Sequence, residues 1–273
     1  MGTRRECDAS YTVKPITLFM ASDLSSCPQI SLEYYGRSCF EIRFAGKRIV
    51  IDPFNPDMFE YASQDRSYSL PKNKIEYAFA THVAPDHNYF EGIDADRTYV
   101  ACGDEPEFVR DVRGETAHVG GVVAHDFDGR SFSFWTVPSF HDDQQGALEG
   151  VNGIICLDFD GLKVVHLGDV GHTLNHEQVD GIGAVDVLMV PVDEYYTIDA
   201  ETGKRIVEQL DPKIVIPMHY KTDNLVEELP FSDEKNFVRK FENVSMPDKC
   251  CLSIDKENLR DELRIIVLKY HRG

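Results

Sequence analysis

Short runs of β-branched and aromatic residues, often alternating with polar ones, recur from residue 31 onward. Ser31-Leu-Glu-Tyr-Tyr, Cys39-Phe-Glu-Ile-Arg-Phe and Arg48-Ile-Val-Ile-Asp read as three early strands, and Ala45-Gly46-Lys47 is a hairpin turn between the last two. A polar, Pro-rich stretch follows to about residue 74. Ile75 to Ala80 is a further strand that ends at Thr81-His82, and Pro85 suits the start of a helix just after it.

The middle of the chain repeats this plan. Phe132-Ser-Phe-Trp-Thr-Val is a strand ending before Ser139-Phe140-His141. Gly153 to Phe159 and Leu162 to Leu167 form a hairpin around Asp160-Gly161, a strong turn signal, and the second of them runs into Gly168-Asp169. Asp186 to Pro191 is a short buried-type strand, Glu201 to Leu210 has helical spacing, and Lys213 to Ile216 is a strand that ends in Pro217-Met218-His219. Arg264 to Lys269 is the last strand. Meandering strands therefore come early in each half and strand–helix alternation later, which predicts two β-rich layers with helices outside. The expected organisation is an N-terminal arm, residues 1–29, and a single domain with two related halves, residues 30–273.

Composition narrows the setting. At 273 residues, 42% hydrophobic and 27% charged, the chain is that of a globular protein with a sizeable core. No run approaches the roughly 18 apolar residues of a membrane span. Arg4 and Arg5 are followed by a polar segment without the apolar core of a signal peptide. With 28 basic against 47 acidic side chains the net charge is −19, a surface that repels nucleic acid and anionic membrane. The seven cysteines (7, 27, 39, 102, 156, 250 and 251) are odd in number and show no C-x-x-C, so reduced thiols and a cytoplasmic location are expected. Cys39 and Cys156 lie in apolar runs and read as core residues.

The candidate chemistry sits at strand ends. His82-Val83-Ala84-Pro85-Asp86-His87 nearly matches H-x-H-x-D-H, with alanine at the middle histidine. His141, Asp169 and His219 each follow a separate strand. Any one alone is an ordinary loop residue; four strand ends that each deliver a ligand type form a pattern suited to a sheet-rim metal site. No Gly-x-Ser-x-Gly, phosphate-binding loop or dinucleotide fingerprint competes with it; Gly181-Ile182-Gly183 lacks the third glycine.

At this point the chain resembles the metallo-β-lactamase fold hydrolases, most closely the UlaG-like metal-dependent branch. Tyr34-Tyr35-Gly36-Arg37-Ser38-Cys39-Phe40 and Ile51-Asp52-Pro53-Phe54 look like that family's first strands. Ser139-Phe140-His141-Asp142, Leu167-Gly168-Asp169-Val170-Gly171 and Ile216-Pro217-Met218-His219-Tyr220 look like its later metal motifs, and Tyr196-Thr197-Ile198-Asp199 is also similar. The resemblance covers about residues 30–270. It implies an α/β (α+β) fold, a four-layer αββα sandwich with a two-metal site at one edge. It further implies a first metal position built from His82, residue 84, His141 and bridging Asp169, and a second from Asp86, His87, His219 and Asp169. Zinc fits these donors best, and manganese or iron also suit them. The implied reaction is attack by a metal-held hydroxide on a small, anionic metabolite (an ester, lactone, amide or phosphodiester), with Asp86 and Asp169 as catalytic carboxylates. Asp52 resembles the family's ligand-orienting carboxylate; read from the residues alone, it is equally a turn-capping Asp before Pro53.

Ala84 is the departure, since a methyl group cannot coordinate. The second position keeps all four groups and is expected to fill first, with the first position weak, absent or completed by water or substrate. His172 and Asp142 are candidate replacements for the lost ligand. His172 and His176, four apart, fit one face of a helix, though a solvated one. Asp193-Glu194-Tyr195-Tyr196 reads as a charged loop that can also line the cleft, and Lys221 as a surface residue or a contact for an anionic substrate. The rival from another class is a non-catalytic, metal-stabilised binding or regulatory module. The expected partner is a small-molecule substrate, with a second copy of the chain as a further option.

Overall fold

A computed structural model describes residues 28–272 apart from 60, 62–66, 102–107, 112–115 and 119–121. Most of the expected N-terminal arm lies outside the described residues. The first sheet is built from β1 (Gln29–Gly36), β2 (Cys39–Phe44), β3 (Lys47–Ile51), β4 (Lys74–Ala80), β5 (Asp94–Val100), β6 (Phe108–Asp111) and β7 (Thr116–His118). The second begins with β8 (Val123–Phe127), β9 (Arg130–Phe140), β10 (Val151–Phe159) and β11 (Leu162–His166). Helix α1 (His176–Ile182) leads to β12 (Val187–Pro191), helix α2 (Ala200–Leu210) to β13 (Ile214–Met218), and a short α3 (Lys235–Val238) to β14 (Val244–Ser245). The chain then adds β15 (Cys251–Asp255) to the first sheet beside β1, and returns to the second with β16 (Arg264–Ile266).

Both sheets contain the same run of five strands. In β1-β2-β3-β4-β5 and in β9-β10-β11-β12-β13, the first three strands are antiparallel and the next two pair in parallel with their predecessors. A parallel crossover places consecutive strand ends along the same sheet edge. β3, β4, β11, β12 and β13 therefore all end at one rim of the sandwich.

The core lies between the sheets. β12 (VLMVP) and β13 (IVIPM) are buried at every position, as expected of interior parallel strands covered on both faces. Helix α2 covers this part of the second sheet. Asp199 caps its N-terminus by accepting the Thr202 N–H at 2.7 Å, and Gly203, Ile206, Val207 and Leu210 fall on its buried face. Burying Ile206, Val207 and Leu210 stabilises the docked helix by about 1.5–3 kcal/mol each. Helix α1 packs on β9 and α3 on α2, so the α-helices form the outer layer of the second sheet. Among the described residues the first sheet carries no α-helix.

The expected helix at Pro85 is a correction to the sequence reading. Residues 85–87 form a turn, followed by a single 3-10 turn at Phe90–Gly92. Two backbone bonds tie this segment to the exit of β3: Asn55 N–H to Pro85 O at 3.0 Å and Tyr89 N–H to Pro53 O at 2.8 Å. They pull the chain across the rim, and β5 begins at Asp94, before another helical turn fits.

Candidate metal centre

Every candidate residue arrives from a strand end on that rim. Asp52 follows β3, and His82, Asp86 and His87 follow β4. His141 follows β9, Asp169 follows β11 and His219 follows β13. The loop after β4 is closed by Ala84 O, which accepts the N–H groups of His87 at 2.9 Å and Asn88 at 3.0 Å. That turn brings the His82 and His87 rings to 4.1 Å between centroids.

The imidazoles are oriented from behind. Asp52 Oδ2 lies 2.8 Å from His87 Nδ1, and Asp193 Oδ2 lies 3.1 Å from His219 Nδ1. Thr81 Oγ1 donates its proton to Asp52 at 2.9 Å and so can accept from His82 Nδ1 at 3.1 Å. Each contact turns an Nε2 atom inward, which is how outer partners fix metal-ligating histidines. Asp52 itself sits at φ 49°, held by its N–H on Phe79 O and by the Thr81 N–H on its Oδ1 at 2.7 Å.

Asp169 stands at the middle. Its Oδ2 is 3.1 Å from His87 Nε2, 3.2 Å from His219 Nε2 and 3.3 Å from His141 Nε2. Asp86 Oδ2 is 3.6 Å from His87 Nε2 and 3.7 Å from His219 Nε2. Two donor groups result, Asp86/His87/Asp169/His219 and His82/His141/Asp169, each within 4.8 Å, with Asp169 common to both. Asp169 is aimed by Asn152, whose Oδ1 accepts the Asp169 N–H at 3.0 Å. Gly168, at φ 59°, makes room for that contact, because a Cβ there would stand 2.2 Å from Asn152 Oδ1.

The donors fit a divalent ion. Four ligand atoms about 2.0–2.1 Å from a tetrahedral ion stand roughly 3.3–3.4 Å apart, close to the 3.1–3.7 Å carboxylate-to-imidazole distances among Asp86, His87, Asp169 and His219. His87 Nε2 is fully buried, and its polar neighbours are the Asp169 and Asp86 carboxylates at 3.1 and 3.6 Å, the company a ligand nitrogen keeps. The pKa shifts report how much carboxylate charge is gathered here, and a proton on an imidazole leaves when a metal takes its place. Burial works against charge on His87, but Asp169, then Asp52 and Asp86, hold its pKa well above the ordinary value. Burial likewise opposes charge on Asp86 and Asp169, yet nearby imidazoles keep both well below the carboxylate range, His87 first for Asp86 and His219 first for Asp169. His82, pressed by burial and by His87, falls to about 4 and is neutral at physiological pH. A pocket with this much anionic charge attracts cations.

Residues 31–219 match the family model of a Beta-lactamase superfamily domain. The chain belongs to the beta-lactamase superfamily. Among similar relatives of this superfamily member is a UPF0173 protein of Pyrococcus abyssi, 28% identical over 205 residues, covering 71% of this chain and 84% of the relative. A UPF0173 metal-dependent hydrolase of Methanocaldococcus jannaschii is 28% identical over 220 residues, covering 79% of this chain and 94% of that one. Among solved structures, a Thermotoga maritima protein of the metallo-beta-lactamase superfamily is 25% identical. It covers 89% of this chain and 100% of its own, with a TM-score of 0.63. A Parabacteroides distasonis protein, 15% identical with a TM-score of 0.57 over 89% of this chain and 94% of its own, shares the fold. The superfamily's metallo-β-lactamase fold is thus the two-sheet α/β sandwich seen here.

The replacements considered for Ala84 are engaged elsewhere. His172 Nε2 accepts the Phe140 N–H at 3.2 Å and its Nδ1 lies 2.7 Å from Thr173 O, so both nitrogens are used. It also precedes α1, which starts at His176, so the two do not share a helix. Asp142 accepts the N–H groups of Gln144, Gly146, Leu148 and Glu149, each at 2.8 Å, and shapes the loop after His141. Lys221 donates to Glu227 O and Leu229 O and lines a separate groove.

Two functional positions escaped the sequence reading. Asp193, taken for part of a charged loop, is fully buried and orients His219; its Oδ1 also gathers the Tyr195, Tyr196 and Thr197 N–H groups. Its signal is its place just beyond a buried strand, as with Asp52. Arg37, in the turn between β1 and β2, reaches the centre with Nη2 at 3.2 Å from Asp86 Oδ2. Burial opposes its charge, and Asp86, then Asp169, more than offset that. Nothing in its local pattern marked it.

Proposed function

We propose that the chain is a metal-dependent hydrolase of a small ester or lactone carrying an apolar arm, acting at the rim where its two sheets meet. The observation that carries this reading is the single carboxylate, Asp169, shared by imidazoles delivered from both sheets. His82, His141 and Asp169 are the donors available at the first position, and Asp86, His87, Asp169 and His219 those at the second. A divalent ion, zinc foremost and manganese or iron also suited, supplies a Lewis acid and lowers the pKa of water at neutral pH.

The chain's own residues supply the rest. Asp86, with its side chain 20% exposed, faces a cavity of about 530 Å³ and can orient the attacking water or take its proton. Met58, Phe59, Val83, Tyr196, Leu229 and Phe231 line the same cavity, and these walls exclude water and suit an apolar group. Arg37 is the one Lys or Arg in that lining, and it is already paired with Asp86. The apolar walls are the ground on which an ester or lactone with an apolar arm is favoured here over a phosphodiester. The first position, with Ala84 in its turn, keeps three protein donors and an open side toward this cavity.

No helix among the described residues is long and apolar enough to cross a membrane. The free thiols of Cys39, Cys156, Cys250 and Cys251 support a reducing compartment, and the −19 charge supports a small molecule over nucleic acid as partner.

The test is turnover of aryl esters, lactones and a phosphodiester by metal-loaded protein, beside its Asp169→Ala variant. Metal-dependent ester or lactone cleavage lost in the variant is the expected outcome. Equal rates in the two proteins, or none with any divalent metal, would instead favour the non-catalytic binding module.

A further inference from the structure

Arg37 occupies a position that the metal reading leaves unexplained. Its backbone is left-handed, at φ 51°, and its side chain is almost wholly buried. The guanidinium carbon lies 5.4 Å from the Phe59 ring centroid and 4.8 Å from that of Phe231, so two aromatic faces fix it in place. Nη2 points into the centre, 3.2 Å from Asp86 Oδ2 and 2.6 Å from His219 Nε2. With Nδ1 facing the Asp193 carboxylate, the neutral form of His219, the form that binds metal, presents its Nε2 lone pair toward Arg37 Nη2. An ion on His219 needs that same lone pair. Two of the four donors at the second position are therefore already engaged by a permanent cation of the chain's own.

The first position differs. No lysine or arginine contacts His82 or His141 among the described hydrogen bonds and ion pairs, and three protein donors with one open side is the arrangement of a catalytic rather than a structural zinc. We propose that Arg37 takes the place of the second ion, so that the chain holds one divalent ion, at His82, His141 and Asp169, with the guanidinium as the neighbouring fixed positive charge. This rests on reading the centre as metal-binding, and it reverses the expectation that the second position fills first. Ala84 and Arg37 then belong together: one opens the first position to a substrate, the other closes the second to metal.

Metal content after loading with zinc and removal of free ion tests this, backed by cobalt titration followed by visible absorbance. Wild type should hold one ion per chain. Arg37→Met, which keeps the aliphatic packing and loses the charge, should hold two, and its cobalt absorbance should saturate at two equivalents. His141→Ala should hold none, while His219→Ala keeps one. Circular dichroism melts establish that each variant is folded, and Arg37→Lys, retaining the charge, should stay at one ion if Arg37→Met is too unstable to load. Two tightly held ions in wild type, one ion in folded Arg37→Met, or an ion lost with His219 and kept without His141 would each overturn the role of Arg37 while leaving the hydrolase reading intact. No ion in any variant would overturn both.

Discussion

Asp52 and His87 form a fully buried pair, Oδ2 to Nδ1 at 2.8 Å, at the point where β3 and β4 leave the first sheet. The same carboxylate takes the Thr81 N–H and hydroxyl, so one side chain satisfies three donors in the core. Removing one partner of such a pair costs about 3–5 kcal/mol, because the others stay buried and unsatisfied. Asp52→Ala is therefore expected to lose stability in that range in urea melts of metal-free protein. A loss below about 1 kcal/mol would show that Asp52 is a turn cap and little more.

Metal should stabilise the fold as well as serve chemistry. An ion at 100 times its dissociation constant adds about 2.7 kcal/mol, which in a chain of this size raises the melting temperature by roughly 5–10 °C. Zinc added to chelator-treated protein is expected to give a rise of that order, and Asp169→Ala should abolish it. An equal rise in the variant would place the ion elsewhere.

Gly168 should tolerate no side chain. Alanine there adds about 1–2 kcal/mol of left-handed strain. Its Cβ would also press on Asn152 Oδ1 at 2.2 Å and Thr81 Cβ at 2.7 Å. Asn152 bridges Ser139, Leu167 and Asp169, so its displacement misaims the shared carboxylate. Gly168→Ala is expected to weaken zinc affinity at least about tenfold, the lower end for loss of a ligand-orienting partner. Competition with a chromogenic chelator measures this, and unchanged affinity would contradict it.

Acid should loosen the loop after His141. Four backbone N–H groups hold the Asp142 carboxyl at about 2. A carboxylate with a depressed pKa stabilises the fold above its ordinary value near 4 and loses that contribution as pH falls through about 2. Asp142→Asn should thus melt below wild type at pH 6, and the gap should close by pH 2. A gap independent of pH would mean that shape, and not charge, holds the loop.

The ligand-bearing strand ends were legible because each is a buried apolar run broken by one polar residue at the rim, as in Ile214-Val-Ile-Pro-Met before His219. The partners behind them were less so. In Asp193-Glu194-Tyr195-Tyr196 the sequence offers two acidic residues, and only the parallel register of Val190 beside Pro217 and Pro191 beside Met218 decides which of them meets His219. Arg37 depends on Phe59 and Phe231, distant in the chain, and on a turn conformation that no residue pattern dictates for arginine. Pro85 carried a true helix-start signal, overridden by a connection too short for a helix and tied to β3. The strands β5 to β8 were missed where the pattern is polar, as in Asp94-Ala-Asp-Arg-Thr, with their order set by neighbours in the sheet.

The donors at the rim are divided between the two sheets. His82 comes from the first and His141 and Asp169 from the second, while the other donor group splits in the same way, two and two. Each donor group draws on both sheets. A bound metal would therefore act as a rivet across the sandwich, its affinity reporting how well the two halves are docked.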